Sequence, residues 1–299
     1  MERLLSLLVA GLSIGAVYAL VALGLVVIFK ATRVVNFAHP ALLVLGTYAV
    51  ASAHVVYGLP FPLALAVGVA VGVVIAVLVE RVLIRRFQRT NAVMAASIMT
   101  IGLDVVISTE TERRIGTRIL TTGDPWGDDL VRALGLTLPS ARVAALVVSV
   151  LLLVVFHQWL HRSDFGLAMR AAAEDPEAAS LMGVRLSRVS ATAWGVSGAL
   201  AVCAGVFLVA YPSPGLDSSL EGIALRALPA AIIGGLDSTT GAIAGGFLVG
   251  LSETLVGGYQ ADLLFLGRGF DEVAPYVLML VVLLLRPTGL FGTREVARV

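Results

Sequence analysis

The stretch LLSLLVAGLSIGAVYALVALGLVVIF, residues 4–29, contains no charged side chain. It is longer than the roughly 20 apolar residues that span a hydrocarbon core. It also exceeds the roughly 7–15 residues of a signal-peptide core, and no small-x-small cleavage site ends it. A transmembrane helix is therefore predicted here. Further apolar runs follow at Ala41–Tyr57, Pro60–Val79, Ala92–Ser108, Ala141–Trp159, Ala191–Tyr211, Ile223–Leu236, Gly241–Val256 and Val273–Leu285. The expected fold is all-α: a polytopic transmembrane helical bundle of about eight or nine segments, forming one domain over residues 1–299.

Composition agrees. The 299 residues are 58% hydrophobic and 14% charged, against about 45–50% and about 25% in soluble domains. One soluble core would not enclose that much apolar surface. A net charge of +1 points to no nucleic-acid partner. Lys30 is the only lysine, so the basic residues are nearly all arginines, which at the ends of apolar runs read as phospholipid contacts and topology signals. Cys203, alone in an apolar run, has no disulfide partner and reads as a small buried hydrophobe.

Arginine sets the orientation. Arg81, Arg85, Arg86 and Arg89 predict a cytoplasmic loop, and Arg162, Arg170, Arg185 and Arg188 place 161–189 on the same side. Lys30, Arg33, Arg286, Arg294 and Arg298 join them. Residues 109–140 mix Glu110, Glu112, Asp124, Asp128 and Asp129 with arginines and read as an extracytoplasmic loop. The N-terminus is then outside and the C-terminus inside. Parity requires 222–257 to cross twice or to re-enter, and Pro229, Gly234 and Gly235 interrupt its first half. Broken helices at membrane depth persist only where they are packed in protein or line a cavity. The pairs Gly11/Gly15, Gly68/Gly72, Gly241/Gly245 and Gly246/Gly250 have the spacing that lets helices approach closely.

Within 161–189, Ser163 and Asp164 can cap a helix through Phe165, Met169 and Arg170. Asp175-Pro176-Glu177 then reads as N-cap, N1 and N2 of a short helix that Gly183 stops. Ala178, Leu181 and Met182 fall at i, i+3 and i+4 and share one face. Such an element suits either a groove on another protein or the membrane surface.

The segment FGLAMRAAAEDPEAASLMGV, Phe165–Val184, resembles the cytoplasmic coupling loop of ABC-importer permeases, and more narrowly that of the branched-chain amino acid permease family, the LivH-type subunit. VVNFAHPALLVLGTY near the start, LRALPAAIIGGLDSTTGAIAGGFLVGLSE, and the terminal RPTGLFG agree in the same order, from Gly11 to Gly292. The family usually carries glycine after Asn-Phe-Ala-His; here Pro40 stands there, suited to N1 of the following helix. The resemblance implies a multi-pass subunit of the bacterial inner membrane that imports branched-chain or related amino acids. It further implies a second homologous permease, cytoplasmic ABC ATPase subunits and an extracytoplasmic solute-binding protein. Coupling to the ATPase falls to Arg170, Glu174, Asp175, Ala178, Ala179, Leu181, Met182 and Gly183.

No P-loop exists in the sequence, because Lys30 follows Phe29 rather than glycine. The chain is thus expected to be no enzyme and to hold no cofactor, with ATP used by a partner subunit. Gly195-Val196-Ser197-Gly198 matches the serine motif of rhomboid proteases, but that chemistry needs a later histidine, and His39, His54, His157 and His161 all precede Ser197. His157 and His161 share a helix face at i, i+4, with no acidic or cysteine ligand beside them, so no metal is expected. Glu253 lies in an apolar glycine-rich run, where a carboxylate is costly unless paired or facing water. Arg226 is its candidate partner, and the two are assigned to the translocation pathway. Asn36 and His39, at the first break, bond either the backbone or the passing solute. The competing function is a secondary transporter or channel for a small polar solute such as an amide or urea; it would need intramembrane ionisable groups for ion coupling, and the chain offers few besides Glu253 and Asp104.

Overall fold

A computed structural model describes residues 2–90, 92–116, 120–123, 125–127, 129–133, 136–210, 215–216, 219–263 and 269–293. Its helices are α1 (Glu2–Thr32), α2 (His39–Ala51), α3 (Phe61–Val79), α4 (Arg85–Arg89), α5 (Val93–Ile115), α6 (Ser140–Arg162), α7 (Asp164–Glu174), α8 (Pro176–Leu181), α9 (Leu186–Ala210), α10 (Ser219–Leu225), α11 (Ala227–Gly234), α12 (Thr239–Gly258) and α13 (Phe270–Leu285). A π-helical turn at Ser52–Val56 extends α2, and another at Glu80–Ile84 joins α3 to α4.

Among the described residues, 7 helices are long and apolar enough to cross a bilayer. The apolar α13 adds one segment and the α10–α11 pair another, matching the eight or nine expected. Leu216, just before α10, exchanges backbone hydrogen bonds with Leu120 of the 109–140 segment. Gly235, just after α11, packs against Gly292 of the C-terminal segment. The two short helices thus run as one broken segment from the loop after α5 to the chain after α13.

Several boundaries differ from the sequence reading. Arg81, Arg85, Arg86 and Arg89 lie on the helical continuation of α3 rather than in a loop. Glu80 drives this, because its fully buried carboxylate needs a partner and takes Arg85 Nη2 at 3.0 Å. α5 runs to Ile115, beyond the expected start of the outer loop, and Glu110 pairs there with Arg113 at 2.9 Å and Arg114 at 2.6 Å. The outer loop holds an antiparallel hairpin, β1 (Leu130–Ala133) with β2 (Leu136–Pro139). α2 begins one residue earlier than Pro40 suggests, at His39, with proline still in the first turn where its missing N–H costs nothing. Asp124, Asp128, Tyr211, Arg294 and Arg298 lie outside the described residues.

α1 is the axis of the bundle. In its apolar window 89% of residues are buried, against 17% for α5, so α1 is enclosed while α5 faces outward. It packs chiefly on α12 and α9. The α1–α12 contact is backbone on backbone. A Cβ at Gly15 would lie 2.9 Å from Phe247 Cα, and one at Gly250 would strike the Gly15 backbone. Gly72 and Gly198 make the matching approach between α3 and α9, where a Cβ on Gly198 would sit 2.6 Å from the Gly72 carbonyl oxygen. No hydrophobic force drives helices together in lipid, so this close packing supplies the cohesion.

Gly250→Val should therefore lower stability by about 3 kcal/mol, because neither backbone can yield. Gly102→Ala, at a site with open space around it, should leave stability unchanged or raise it slightly. Thermal unfolding in detergent measures both, and equal midpoints would remove the α1–α12 contact from its central place.

Candidate functional site

The segment after α6 folds as the capping residues dictate. Ser163 Oγ accepts from the Gly166 N–H at 3.2 Å and opens α7. Met169 and Ala172 bury the inner face of that helix. Asp175 Oδ1 accepts from the Glu177 and Ala178 N–H groups at 3.0 and 2.9 Å and opens α8. The far end closes when Val184 N–H donates to Ala179 O and Gly183 N–H to Ser180 O, both at 3.0 Å. Gly183 takes φ +88°, a left-handed conformation that glycine adopts freely.

On α8, Leu181 is 88% and Met182 86% exposed, and Ala178 is exposed beside them. A face this apolar, held on a helix capped at both ends, is unpartnered among the described residues. Two of the residues assigned to coupling face elsewhere. Ala179 is buried and anchors α8 to its own chain, because its position is rotated away from the exposed trio. Arg170 turns back and donates to the Leu160 carbonyl at 3.2 Å, fastening α7 to the end of α6. Glu174 remains exposed.

Arg33 joins this segment to the axis of the bundle. Its Nη2 donates to the Ala173 carbonyl in the last turn of α7 at 2.9 Å, and its guanidinium lies 6.0 Å from the Phe29 ring centroid. Among the described residues it alone, apart from glycines, has a positive φ, +58°. Such a conformation is uncommon for a long side chain and persists only where the surroundings hold it. Arg33 also lines a cleft of about 350 Å³ with Asp237 and Thr293. Sequence reasoning treated it only as a topology signal, and no local pattern marks an arginine for a left-handed turn.

The break between α1 and α2 is buried in protein. α5 supplies hydroxyls to its freed backbone: Val35 N–H donates to Ser97 Oγ at 3.1 Å and Phe37 N–H to Thr100 Oγ1 at 3.0 Å. Asn36 Oδ1 accepts from the Ala38 N–H at 3.1 Å. His39 Nδ1 meets Ser197 Oγ at 3.2 Å, with its ring against Gly24 of α1. Asn36 and His39 are 1% and 0% exposed, and Asn36 Nδ2 and His39 Nε2 have no hydrogen-bond partner among the described residues. The Ser197–His39 pair has the elements of a nucleophile and base but is sealed between α1, α2 and α9. The His157 and His161 rings lie 4.3 Å apart and tilted 56° to each other, and no metal-binding cluster of three exists among the described residues.

Elsewhere in the bundle, four elements meet at one ionic network. Arg226, at the junction of α10 and α11, places Nη1 2.6 Å from Glu253 Oε1 on α12 and Nη2 3.0 Å from Glu272 Oε1 on α13. Tyr18 of α1 donates to Glu253 Oε2 at 2.7 Å. The Arg226 and Glu253 side chains are 19% and 13% exposed, and Glu272 is 64% exposed, so the network runs from the interior to the surface.

A family model described as "Branched-chain amino acid transport system / permease component" matches residues 7–285. The high-affinity branched-chain amino acid transport system permease protein BraD of Pseudomonas aeruginosa is 29% identical over 309 residues, covering 98% of this chain and 97% of that one. LivH of Escherichia coli, described in the same words, is 29% identical over 306 residues, covering 97% and 96%. The probable branched-chain amino acid transport permease LivH of Methanocaldococcus jannaschii is 27% identical over 279 residues, covering 91% and 88%. Nearly full-length agreement, with the capped loop helix and the multi-pass bundle, makes this chain a member of the permease-component family of branched-chain amino acid transport systems.

Proposed function

We propose that this chain forms the translocation pathway for branched-chain or related amino acids, with ATP hydrolysed by separate cytoplasmic subunits that press on α8. A second homologous permease completes the pathway, and an extracytoplasmic binding protein delivers the solute. The carrying observation is the exposed apolar trio Ala178, Leu181 and Met182 on a helix capped at both ends. Capping makes α8 rigid enough to bear force, and its bare face matches a groove on a partner. The names of the relatives supply the solute class.

In this mechanism a push on α8 moves α7, and the Arg33–Ala173 bond carries the displacement into α1. α1 drives α12 through their backbone contact, and the Tyr18–Glu253–Arg226 network registers the motion at the outer end of the pathway. Arg226 sits where the broken span has least backbone continuity, so a small rotation there changes its partners.

Three outcomes are expected. Leu181→Asp with Met182→Asp should weaken co-purification of the ATPase by about thirtyfold and abolish uptake, with the permease still folded; unchanged assembly rejects the docking role. Arg33→Gly, which takes the left-handed backbone without strain, should keep the ATPase attached yet lower solute moved per ATP by about tenfold, whereas a wild-type ratio would reduce Arg33 to a turn former. Glu253→Gln and Arg226→Gln should each impair uptake, with a coupling of about 1–2 kcal/mol in a double-mutant unfolding cycle; additive effects would separate the two groups.

A further inference from the structure

We propose that the groove between α3 and α9 seats one anionic phospholipid of the cytoplasmic leaflet. The groove has a volume of about 360 Å³, with Val73 and Val77 on one wall, Gly195, Val196 and Ala199 on the other, and Arg81 at one end. Val73, Val77 and Arg81 recur at i, i+4 and i+8 along α3 and its continuation, so they form one stripe. On α9, Arg188 falls seven residues before Gly195 and eleven before Ala199, which puts it on the facing stripe. Two apolar stripes therefore oppose each other, and each ends on the cytoplasmic side in an arginine.

Gly195 shapes the floor. A Cβ there would lie 3.2 Å from Val77 Cγ2 and 3.5 Å from Val73 Cγ1, so its absence keeps the trough open where the helices are nearest. From Arg81 to Val73 the helix rises about 12 Å, which fits one leaflet of a hydrocarbon core about 30 Å thick. An acyl chain running up the trough from a headgroup at the arginines matches that depth.

Charge complementarity selects the occupant. Arg81 and Arg188 are exposed and enter no ion pair among the described residues. Arg85, one turn beyond Arg81, is already held by Glu80 and the Ser187 carbonyl. A free Arg81 guanidinium at the mouth of a mostly apolar trough, with Arg188 continuing the facing stripe on the same side, suits a phosphate diester, which accepts bidentate hydrogen bonds and brings its own hydrocarbon. Anionic headgroups concentrate on the cytoplasmic leaflet, and basic pockets between membrane helices hold them there. A partner helix would fill the trough equally well but would leave both arginines without a counterion.

The test is native mass spectrometry of the full-length permease released from nanodiscs of phosphatidylethanolamine containing phosphatidylglycerol. Wild type should retain one phosphatidylglycerol. Arg81→Gln and Arg188→Gln should each lower its retention about fivefold, and the pair about twenty-five-fold. Arg86→Gln and Arg162→Gln, exposed arginines away from the groove, should change nothing. Ala199→Trp, which fills the trough with both arginines intact, should displace the lipid as well. The proposal is overturned if the double glutamine variant retains phosphatidylglycerol at the wild-type level. It is overturned equally if a photo-cross-linker at Val77 captures a second permease chain instead of lipid.

Discussion

A peptide group in hydrocarbon finds no water, so wherever a membrane helix breaks, protein must supply the missing hydrogen bonds. Among the described residues the chain makes such repairs at two places, one break and one helix end. Residues 33–38 between α1 and α2 take hydroxyls from Ser97 and Thr100, one turn apart on α5. The end of α11 takes the N–H groups of Leu290 and Phe291, which donate to the Ile233 and Gly234 carbonyls at 2.8 and 3.1 Å. The RPTGLFG segment is thus the cap of a broken span as well as a terminal motif. Gly235 and Gly289, at φ +100° and +81°, let the two backbones meet closely enough for those bonds. The same constraint governs charge: Glu80 and Glu253 lie within the bundle because each has an arginine in reach.

Once the breaks are repaired, the rest of the bundle is free to pack by contact alone. α1 has residues buried on every side along most of its length, so it has no polar face to orient it. Its position is set by glycine and alanine, which admit α12 at backbone distance. A core of this kind has little slack. Interiors at crystal-like density shift between discrete arrangements more readily than they deform.

Much of this was legible in the sequence, and the reason is that its signals were local. Asp175 and Gly183 define the ends of α8 whatever surrounds them, and the carboxylate of Glu253 in an apolar run demands a cation such as Arg226. The small-residue spacings likewise predict close helix contacts without saying which helices meet. What the sequence hid was pairing at long separation. His39 and Ser197 are 158 residues apart, and nothing in either neighbourhood joins them. Asn36 and His39 drew attention as polar groups in an apolar chain, but nothing in the sequence showed that both would be fully buried. Arg33 escaped because its role lies in a backbone conformation that its residue type does not favour.

That conformation has a consequence for how force would travel. A helix transmits displacement along its axis between two points at which it is gripped. α1 is gripped at its C-terminal end by the Arg33–Ala173 bond and at its middle by the Tyr18–Glu253 bond. The two lie about 20 Å apart along the axis, with no proline between them. A relaxed backbone at Arg33 would let the turn swing without moving α1. A strained residue, by contrast, holds its geometry only while its contacts hold, so movement of α7 must either carry the helix or release the strain. The left-handed turn is therefore where the chain would convert motion of a cytoplasmic loop into motion of its most buried helix.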